Sequence, residues 1–503
     1  MDELIAAIDL GTSGTRCLIM DSNKNIVSYA YRPNNIVYPQ AGWSEIDATQ
    51  ILLNTYSVVK EALRKGKIEP NSVSAIGIAN QRETTVIWNK RTGKPVYNAI
   101  LWQDVRTEYI CGKHKDKSEW IFQKTGLTLS PYFSASKIAW ILENVPQAKM
   151  HITSSNLLFG TMDSWLIWNL TGGKKHTRPL HVTDHTNASR TMLMNIRSLE
   201  WCEDIMQLFG IPDSMLPEIV PSSSYGPLGY TSQDSIFQRQ IPITACLGDQ
   251  QASLFGELCV NIGDTKCTYG TGSFILQNIG PKPLLSKNKL ITTVAFSGLK
   301  IGLKYAIEGS IPSSGIVLNW LQKNLNIRME TNTNSKLDVV PEASLQGLYF
   351  VPAFSGLFAP YWDSRARGLI IGLTHYTTAR HILSAALEAT CYQTRDVLDV
   401  MQKDTGMEIR ELMVDGGMTE NENFLHLLAD LLGRNIIKAK RTEMTAVGAA
   451  YMAGLASDLW MTLSDLIDTK ESGKFFEPRL TGKERDSLYK GWKRAIERCK
   501  RWT

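Results

Sequence analysis

Ala6-Ala7-Ile8-Asp9-Leu10-Gly11-Thr12-Ser13-Gly14-Thr15-Arg16, near the start of the chain, decides how the rest is read. An apolar run ends in an aspartate, turns through glycines and small hydroxyl residues, and leads into a second apolar run, Cys17 to Met20. After the turn cluster Asp21-Ser22-Asn23-Lys24-Asn25, Ile26 to Tyr31 reads as a third strand, so the chain opens as a β-meander. The glycines let the backbone turn tightly, and successive N–H groups with Thr and Ser hydroxyls form a nest suited to phosphate oxygens. Asp9 at the strand end suits a hydrated Mg²⁺ and Arg16 offsets phosphate charge, although an ordinary hairpin turn uses the same residue types. The same order recurs in Gly263-Asp264-Thr265-Lys266-Cys267-Thr268-Tyr269-Gly270-Thr271-Gly272-Ser273-Phe274-Ile275-Leu276. Gly11-Thr12-Ser13-Gly14 and Gly270-Thr271-Gly272-Ser273 are the matching turns; read as a repeat rather than a chance match of a short stretch, they imply two domains of related plan, each offering a Gly-Thr turn to a shared cleft.

Around these turns strands alternate with helices. Thr49 to Arg64 carries apolar residues at helical spacing, and Val73 to Ala79 reads as a buried strand. Downstream, His381 to Met401 and Glu422 to Leu432 read as helices, and Leu412 to Val414 as a strand entering Asp415-Gly416-Gly417. The pattern is that of an α/β protein.

With 503 residues, 43% hydrophobic and 20% charged, the chain is long enough to bury sizeable cores without staples. Its 37 glycines and 19 prolines are no excess, which excludes collagen-like and disordered classes. The longest charge-free stretch, Ala343 to Trp362, is broken by Gly347, Pro352, Gly356 and Pro360, so no membrane span is expected. The net charge of +5 is spread without a basic block, so nucleic acid is not an expected partner. None of the eight cysteines is in CxxC spacing, and they read as reduced, packed thiols of a reducing compartment. Met1-Asp2-Glu3 is acidic and leads straight into a strand, so no signal or transit peptide is expected, and Arg501-Trp502-Thr503 is not a peroxisomal address. The expected location is the cytoplasm.

Three further stretches carry candidate chemistry. In Gly248-Asp249-Gln250-Gln251, a carboxylate just past a strand stands where α/β clefts open, able to accept a hydroxyl proton or bind metal, or to cap a helix. In Val414-Asp415-Gly416-Gly417-Met418-Thr419-Glu420-Asn421, paired glycines admit a phosphate or flat ligand at a helix start, with Thr419 as a cap in the blander reading. In Gln81-Arg82-Glu83-Thr84-Thr85, adjacent Arg and Glu suit a polyol, one donating and one accepting; the alternative is a surface ion pair.

Together with Asn80–Thr107, Pro131–Asn144, Gly160–Gly173 and His181–Leu193, these stretches resemble the glycerol kinase branch of the FGGY sugar-kinase family, in the superfamily shared with actin and the heat-shock chaperones. The resemblance covers essentially the whole chain; Tyr132–Asn144 and Ala366–Glu388 are similar to the two general sugar-kinase signatures. It implies an α/β fold of two ribonuclease-H-like (actin-like ATPase) domains, residues 1–256 and 257–503, flanking an active-site cleft for ATP, Mg²⁺ and glycerol. It implies transfer of the γ-phosphoryl group to glycerol, giving sn-glycerol 3-phosphate. By the same resemblance, Arg82, Glu83, Tyr132, Asp249 and Gln250 bind the glycerol hydroxyls, Trp102 and Phe274 wall its carbons, and Asp249 is the general base. Asp9, with Asp249, holds Mg²⁺; Thr12, Ser13, Arg16 and Thr271 contact phosphates; Gly315, Gly417 and Asn421 line the nucleotide pocket. A homo-oligomer, dimer or tetramer, is also implied. The alternative within the family is a kinase of another polyol or a ketopentose, which Arg82-Glu83 and Trp102 disfavour. His181 and His185 lack partners at metal-ligand spacing and read as packing or hydrogen-bonding residues. Trp140, Trp165 and Trp168 read as core aromatics, and Lys483 to Arg501 as a solvated helix face.

Overall fold

The computed structural model describes residues 3–152, 155–224, 226–327, 345, 347–467 and 473–502. Met1, Asp2 and Thr503 of the terminal readings, and Ala343, Ser344 and Gln346 of the charge-free stretch, lie outside the described residues. In the first half, strands β1 (Leu4–Leu10), β2 (Gly14–Met20) and β3 (Ile26–Pro33) form the expected meander, followed by helix α1 (Ala48–Gly66) and β4 (Val73–Asn80). Helix α2 (Ser134–Asn144), the short edge strand β5 (Gly229–Tyr230), β6 (Pro242–Gly248) and helix α3 (Asp249–Gly256) complete the elements that bear on the cleft. The sheet order is β5-β6-β4-β1-β2-β3, with β1, β4 and β6 parallel and β2 and β3 antiparallel beside them. Every residue of β1 is buried, which is why it reads as a near-continuous apolar run rather than an alternating one.

The second half builds β7 (Thr265–Tyr269), β8 (Ser273–Gly280), β9 (Ile291–Gly298), β10 (Gly302–Ile311), helix α4 (Gly315–Leu325), helix α5 (Ala379–Thr405), β11 (Glu411–Asp415), helix α6 (Glu422–Leu432), β12 (Asn435–Lys438), helix α7 (Met444–Ala456), β13 (Lys474–Phe476) and helix α8 (Gly482–Cys499). Its sheet runs β9-β10-β8-β7-β11-β12-β13. As in the first sheet, the opening strand has an antiparallel neighbour on one side and two successive parallel strands on the other. The sheets differ at the antiparallel edge, where the third place is taken by β10, with β9 outside it. Both halves therefore share one strand plan around the opening strand, as the repeated turns imply.

Among the described residues, four hydrophobic clusters lie largely within one half, and a fifth is shared between the two. Ile5, Ala7, Leu18 and Ala79 of the first half pack with Leu276, Phe296, Met413 and Val447 of the second. Helix α7 makes this possible: its sequence, MTAVGAAYMAGLA, is apolar on all sides, as suits a helix buried between two layers, and it lies against β1, β4, β6 and α3. The approach is backbone to backbone, since a Cβ on Gly77 of β4 would sit 2.2 Å from the Ala449 carbonyl oxygen. Trp140, Trp165 and Trp168 are buried core residues as read from sequence, and all eight cysteines are buried thiols outside any disulfide. The basic α8 buries Trp492, Ala495, Ile496 and Cys499 along one side. Among the described residues, no helix is long and apolar enough to cross a membrane.

Candidate active site

Strand register brings the motifs together. Leu10 of β1 is level with Asn80 of β4, and Asn80 with Gly248 of β6, so the parallel strands end on one line. Immediately past those ends stand Gly11-Thr12, Gln81-Arg82-Glu83 and Asp249-Gln250, at the carboxyl edge where open α/β sheets bind ligands. In the second sheet Thr268 of β7 is level with Asp415 of β11, which aligns the Gly270–Gly272 turn with Gly416 and Gly417.

The substrate side is a continuous chain of contacts. Trp102 Nε1 donates to Thr12 Oγ1 at 3.1 Å, and Thr12 Oγ1 donates to Gln81 Oε1 at 3.2 Å. The Trp102 ring meets Tyr132 edge-on at 5.6 Å and Phe274 at 5.8 Å, and the Arg82 guanidinium lies 5.6 Å over the Phe274 ring. Arg82 Nε pairs with Asp249 Oδ1 at 3.2 Å. Asp249 is the first residue of α3, not its cap; Gly248 holds the cap position, and Asp249 Oδ1 also accepts the Gln250 N–H at 2.8 Å. Gln250 Oε1 accepts from the buried Lys266 ammonium at 2.7 Å. The expected glycerol set therefore converges on one patch, polar on one side and aromatic on the other.

The surface-pair alternative for Arg82 and Glu83 does not hold: both are buried, and each is neutralised elsewhere. Arg82 forks onto Glu308 of β10, Nη1 to Oε2 at 2.5 Å and Nη2 to Oε1 at 3.1 Å. Glu83 Oε1 accepts from Arg190 Nε at 2.5 Å, and Arg190 Nη2 lies 3.3 Å from Glu308 Oε1. Burial pushes the Glu83 carboxyl up against the pull of Arg190 and Arg82. Burial would raise Glu308 as well, but Arg190 and Arg82 together hold it down at about 2.

On the phosphate side, Asp9 and Arg16 face each other across the β1–β2 pair, with Nη1 to Oδ2 at 2.9 Å. Arg16 is shared with Glu443 at 3.3 Å. Burial raises the Asp9 carboxyl to about 6; Arg16 opposes the rise, and the Asp249 and Glu443 charges add to it. Asp9 Oδ1 is buried without a hydrogen-bond partner. An orphaned carboxylate oxygen facing the field of a second aspartate is a donor set that fits a hard divalent cation. The Ser13 side chain is exposed at the rim, and its carbonyl accepts from Asn34 N–H at 3.0 Å.

The nucleotide set gathers on the second sheet. The amides of Ser314 and Ile316 donate to the Thr271 carbonyl at 3.2 Å, and Gly315 N–H donates to Gly270 O at 3.0 Å. Only glycine fits at 315, where a Cβ would lie 2.6 Å from Gly270 O, and at 416, whose φ of +93° and 2.5 Å approach to Tyr269 O exclude a side chain. Gly417 is exposed beside them. The cap of α6 is Asn421, not Thr419: Asn421 Oδ1 accepts from Asn423 N–H at 3.1 Å, while Thr419 Oγ1 donates to Gly416 O at 2.7 Å. Asp415 Oδ2 accepts from Ser253 at 2.7 Å, leaving Oδ1 buried without a hydrogen bond.

Sequence reading missed Arg190, Glu308, Lys266 and Glu443. A signal existed for two of them: Glu308 follows the apolar Tyr305-Ala306-Ile307 run within its strand and Lys266 is the one charge of β7, and a buried charge requires a partner. The histidines behave as expected, with His181 Nε2 bonding Phe159 O at 2.7 Å and His185 Nδ1 bonding Ser297 Oγ at 2.8 Å. A buried group of Asp163, Asp184 and Cys246 has metal-like spacing, but Asp163 is bonded by Thr161 and Thr183 and Asp184 by Ser222, Thr186 and Asn187, so its oxygens are already engaged. A separate cavity of about 180 Å³, lined by Lys24, Leu258, Lys438 and Arg441 among others, contains none of the cleft residues.

These features define a two-domain phosphotransferase cleft. The family model for the N-terminal domain of the FGGY family of carbohydrate kinases matches residues 4–256, and that for its C-terminal domain matches residues 265–457. The chain belongs to the FGGY family of carbohydrate kinases. Within it, the chain is 46% identical over 508 residues to a glycerol kinase of Roseiflexus sp. (strain RS-1), covering 100% of both. It is 46% identical to the glycerol kinase of Carboxydothermus hydrogenoformans, over 99% of this chain and 98% of that one. Among solved structures, the Plasmodium falciparum glycerol kinase with ADP matches with a TM-score of 0.87 at 36% identity, covering 99% of this chain and 98% of that one.

Proposed function

We propose that this cleft phosphorylates glycerol, moving the γ-phosphoryl group of ATP to a primary hydroxyl and giving sn-glycerol 3-phosphate and ADP. The observation that carries the reading is the placing of buried Arg82, ion-paired to Asp249, next in the chain to buried Glu83, backed by the aromatic wall of Trp102, Tyr132 and Phe274. Glycerol presents three hydroxyls and little apolar surface. A site that donates through Arg82 and accepts through Glu83 and Asp249 rejects an analogue lacking a hydroxyl, because a buried polar group is then left unpaired.

Asp249 takes the proton of the attacking hydroxyl; its place at the start of α3, on Arg82, keeps Oδ2 for that task. Thr12, Ser13, Arg16 and Thr271 face the phosphates, and Gly315, Gly417 and Asn421 border the nucleotide. Asp9, with Asp249, would hold Mg²⁺. When bound, that ion neutralises charge on the phosphate oxygens. The protein's own contribution is positioning and exclusion of water as the two Gly-Thr turns close on the phosphates. The same family reading supports a cytoplasmic homodimer or homotetramer.

An ADP-release assay with glycerol tests this reading. Asp249→Asn is expected to lower kcat by about 10²–10⁴-fold, the usual worth of a general base, while glycerol binding persists in calorimetry. Retained turnover would remove Asp249 from the role. A higher kcat/KM on a ketopentose than on glycerol would replace the substrate.

A further inference from the structure

We infer that Arg190 and Glu308 are positioning residues that preset the Arg82–Glu83 pair, and that Glu308 makes this presetting depend on the second half of the chain. The inference rests on the reading that Arg82 and Glu83 bind the polyol.

The four side chains form an open chain of alternating charge, Arg82–Glu308–Arg190–Glu83. Arg82 is forked by Glu308, Glu308 is shared with Arg190, and Arg190 holds Glu83, the residue that follows Arg82 in sequence. All four are at most 2% exposed, so no water screens them. Two cations and two carboxylates balance, and removing one leaves an uncompensated buried charge. A bidentate carboxylate fixes the plane of a guanidinium. With both Nη atoms of Arg82 on Glu308, its Nε is left for Asp249, and the face of the group lies over Phe274. Ser310 Oγ in turn donates to Glu308 Oε1 at 3.2 Å.

Arg190 does the same for the acceptor side. It occupies Oε1 of Glu83, and its guanidinium lies 5.4 Å over Tyr132 and 5.5 Å over Phe133. Glu83 sits at φ +60°, a left-handed conformation uncommon for a glutamate, with its carbonyl accepting from Ser134 Oγ at 2.9 Å. Backbone strain of this kind persists where the surroundings over-determine it, and clusters at ligand sites. Arg82, Glu83 and Arg190 come from the first half, whereas Glu308 comes from β10. The donor of the polyol pair is thus oriented by a carboxylate from across the cleft.

The test is steady-state kinetics on Glu308→Gln, Arg190→Lys and the double variant Arg190→Gln/Glu308→Gln, beside the unaltered enzyme, with thermal midpoints for each. Glu308→Gln is expected to raise KM for glycerol at least tenfold with KM for ATP within twofold. Arg190→Lys, which keeps the charge but loses the planar fork, is expected to raise KM for glycerol severalfold, and it decides the question if Glu308→Gln does not fold. The double variant restores charge balance and is expected to recover the midpoint but not the KM for glycerol. Unchanged KM for glycerol in both single variants, equal changes in the two KM values, or recovery of KM along with the midpoint would each overturn the inference. Absence of glycerol-dependent ADP release by the unaltered enzyme would overturn the functional reading and this inference with it.

Discussion

Gly448→Ala sets two opposed effects against each other at the joint between the domains. Helices α3 and α7 cross where Gly448 faces Ala252 and Gly256. A Cβ at 448 would lie 1.8 Å from the Ala252 carbonyl oxygen, 2.7 Å from its carbon and 2.8 Å from the Gly256 nitrogen. Non-bonded heavy atoms settle at roughly 3.5 Å, so the helices must part by more than about 1 Å. All three obstacles are backbone and cannot rotate aside. Retreat is limited as well, because the adjoining face of α7 rests on Gly77, whose own Cβ would meet Ala449 O at 2.2 Å. Helix propensity favours alanine by about 1 kcal/mol, whereas overpacking costs about 1–3 kcal/mol and sometimes more. With backbone on every contact the cost falls at the upper end, about 3 kcal/mol, so packing wins by about 2 kcal/mol, which for a domain of this size lowers the midpoint by roughly 4–8 °C. Because α3 begins at Asp249, kcat should fall with it. The control is Gly112→Ala, an exposed position of the helix Glu108–Lys113 where a Cβ meets nothing within 4 Å. That change should stabilise by up to about 1 kcal/mol. Thermal and urea unfolding of both variants, with kcat alongside, measure the difference. A Gly448→Ala enzyme as stable as the original, with Gly112→Ala behaving as expected, would refute the close crossing.

Two other outcomes follow from buried charges. Asp9 has its carboxyl raised from an ordinary 3.8 to about 6, so ionising it opposes folding: this loss of stability grows as pH climbs from about 4 through 6 and reaches about 3 kcal/mol above that. Asp9→Asn should therefore raise the midpoint of the cation-free protein at pH 8 and bring no gain at pH 4, while abolishing turnover; a lower midpoint at pH 8 would contradict this. Lys266 is buried and its ammonium is pushed down by desolvation against the pull of Asp415, yet it bonds Gln250 and Thr268 at 2.7 Å. Lys266→Met should leave the midpoint within a few degrees, because a buried charge contributes little net stability, and lower kcat at least tenfold; a large midpoint loss with kcat intact would make Lys266 structural.

The elements were legible where local pattern and burial agree. β1 is an apolar run, both it and β7 end in small-residue turns, and α6 occupies the residues its periodicity marks, Glu422–Leu432. The candidate site was legible in its motifs but not in its partnerships. Arg82 and Glu83 are neighbours in the chain, so they invite reading as a pair; in the fold each turns to a different partner, Glu308 and Arg190. The capping role fell on Asn421 instead of Thr419, because either residue suits a cap and only the turn geometry selects between them. Helix α7 announced burial through apolar residues on all sides, but not which sheet it would cover.

The sequence by itself determined the two repeated strand–turn–strand units, the glycine turns and the residue types that stand at the strand ends, since these depend on hydrophobic runs and on backbone freedom over a few residues. Tertiary structure alone decided that Glu308 of β10 reaches Arg82, that α7 from the second half covers the first sheet, and that Asp9 is buried enough to hold its proton to about pH 6. Charge pairing and desolvation depend on distances through space, and the sequence separation of the groups involved does not encode them.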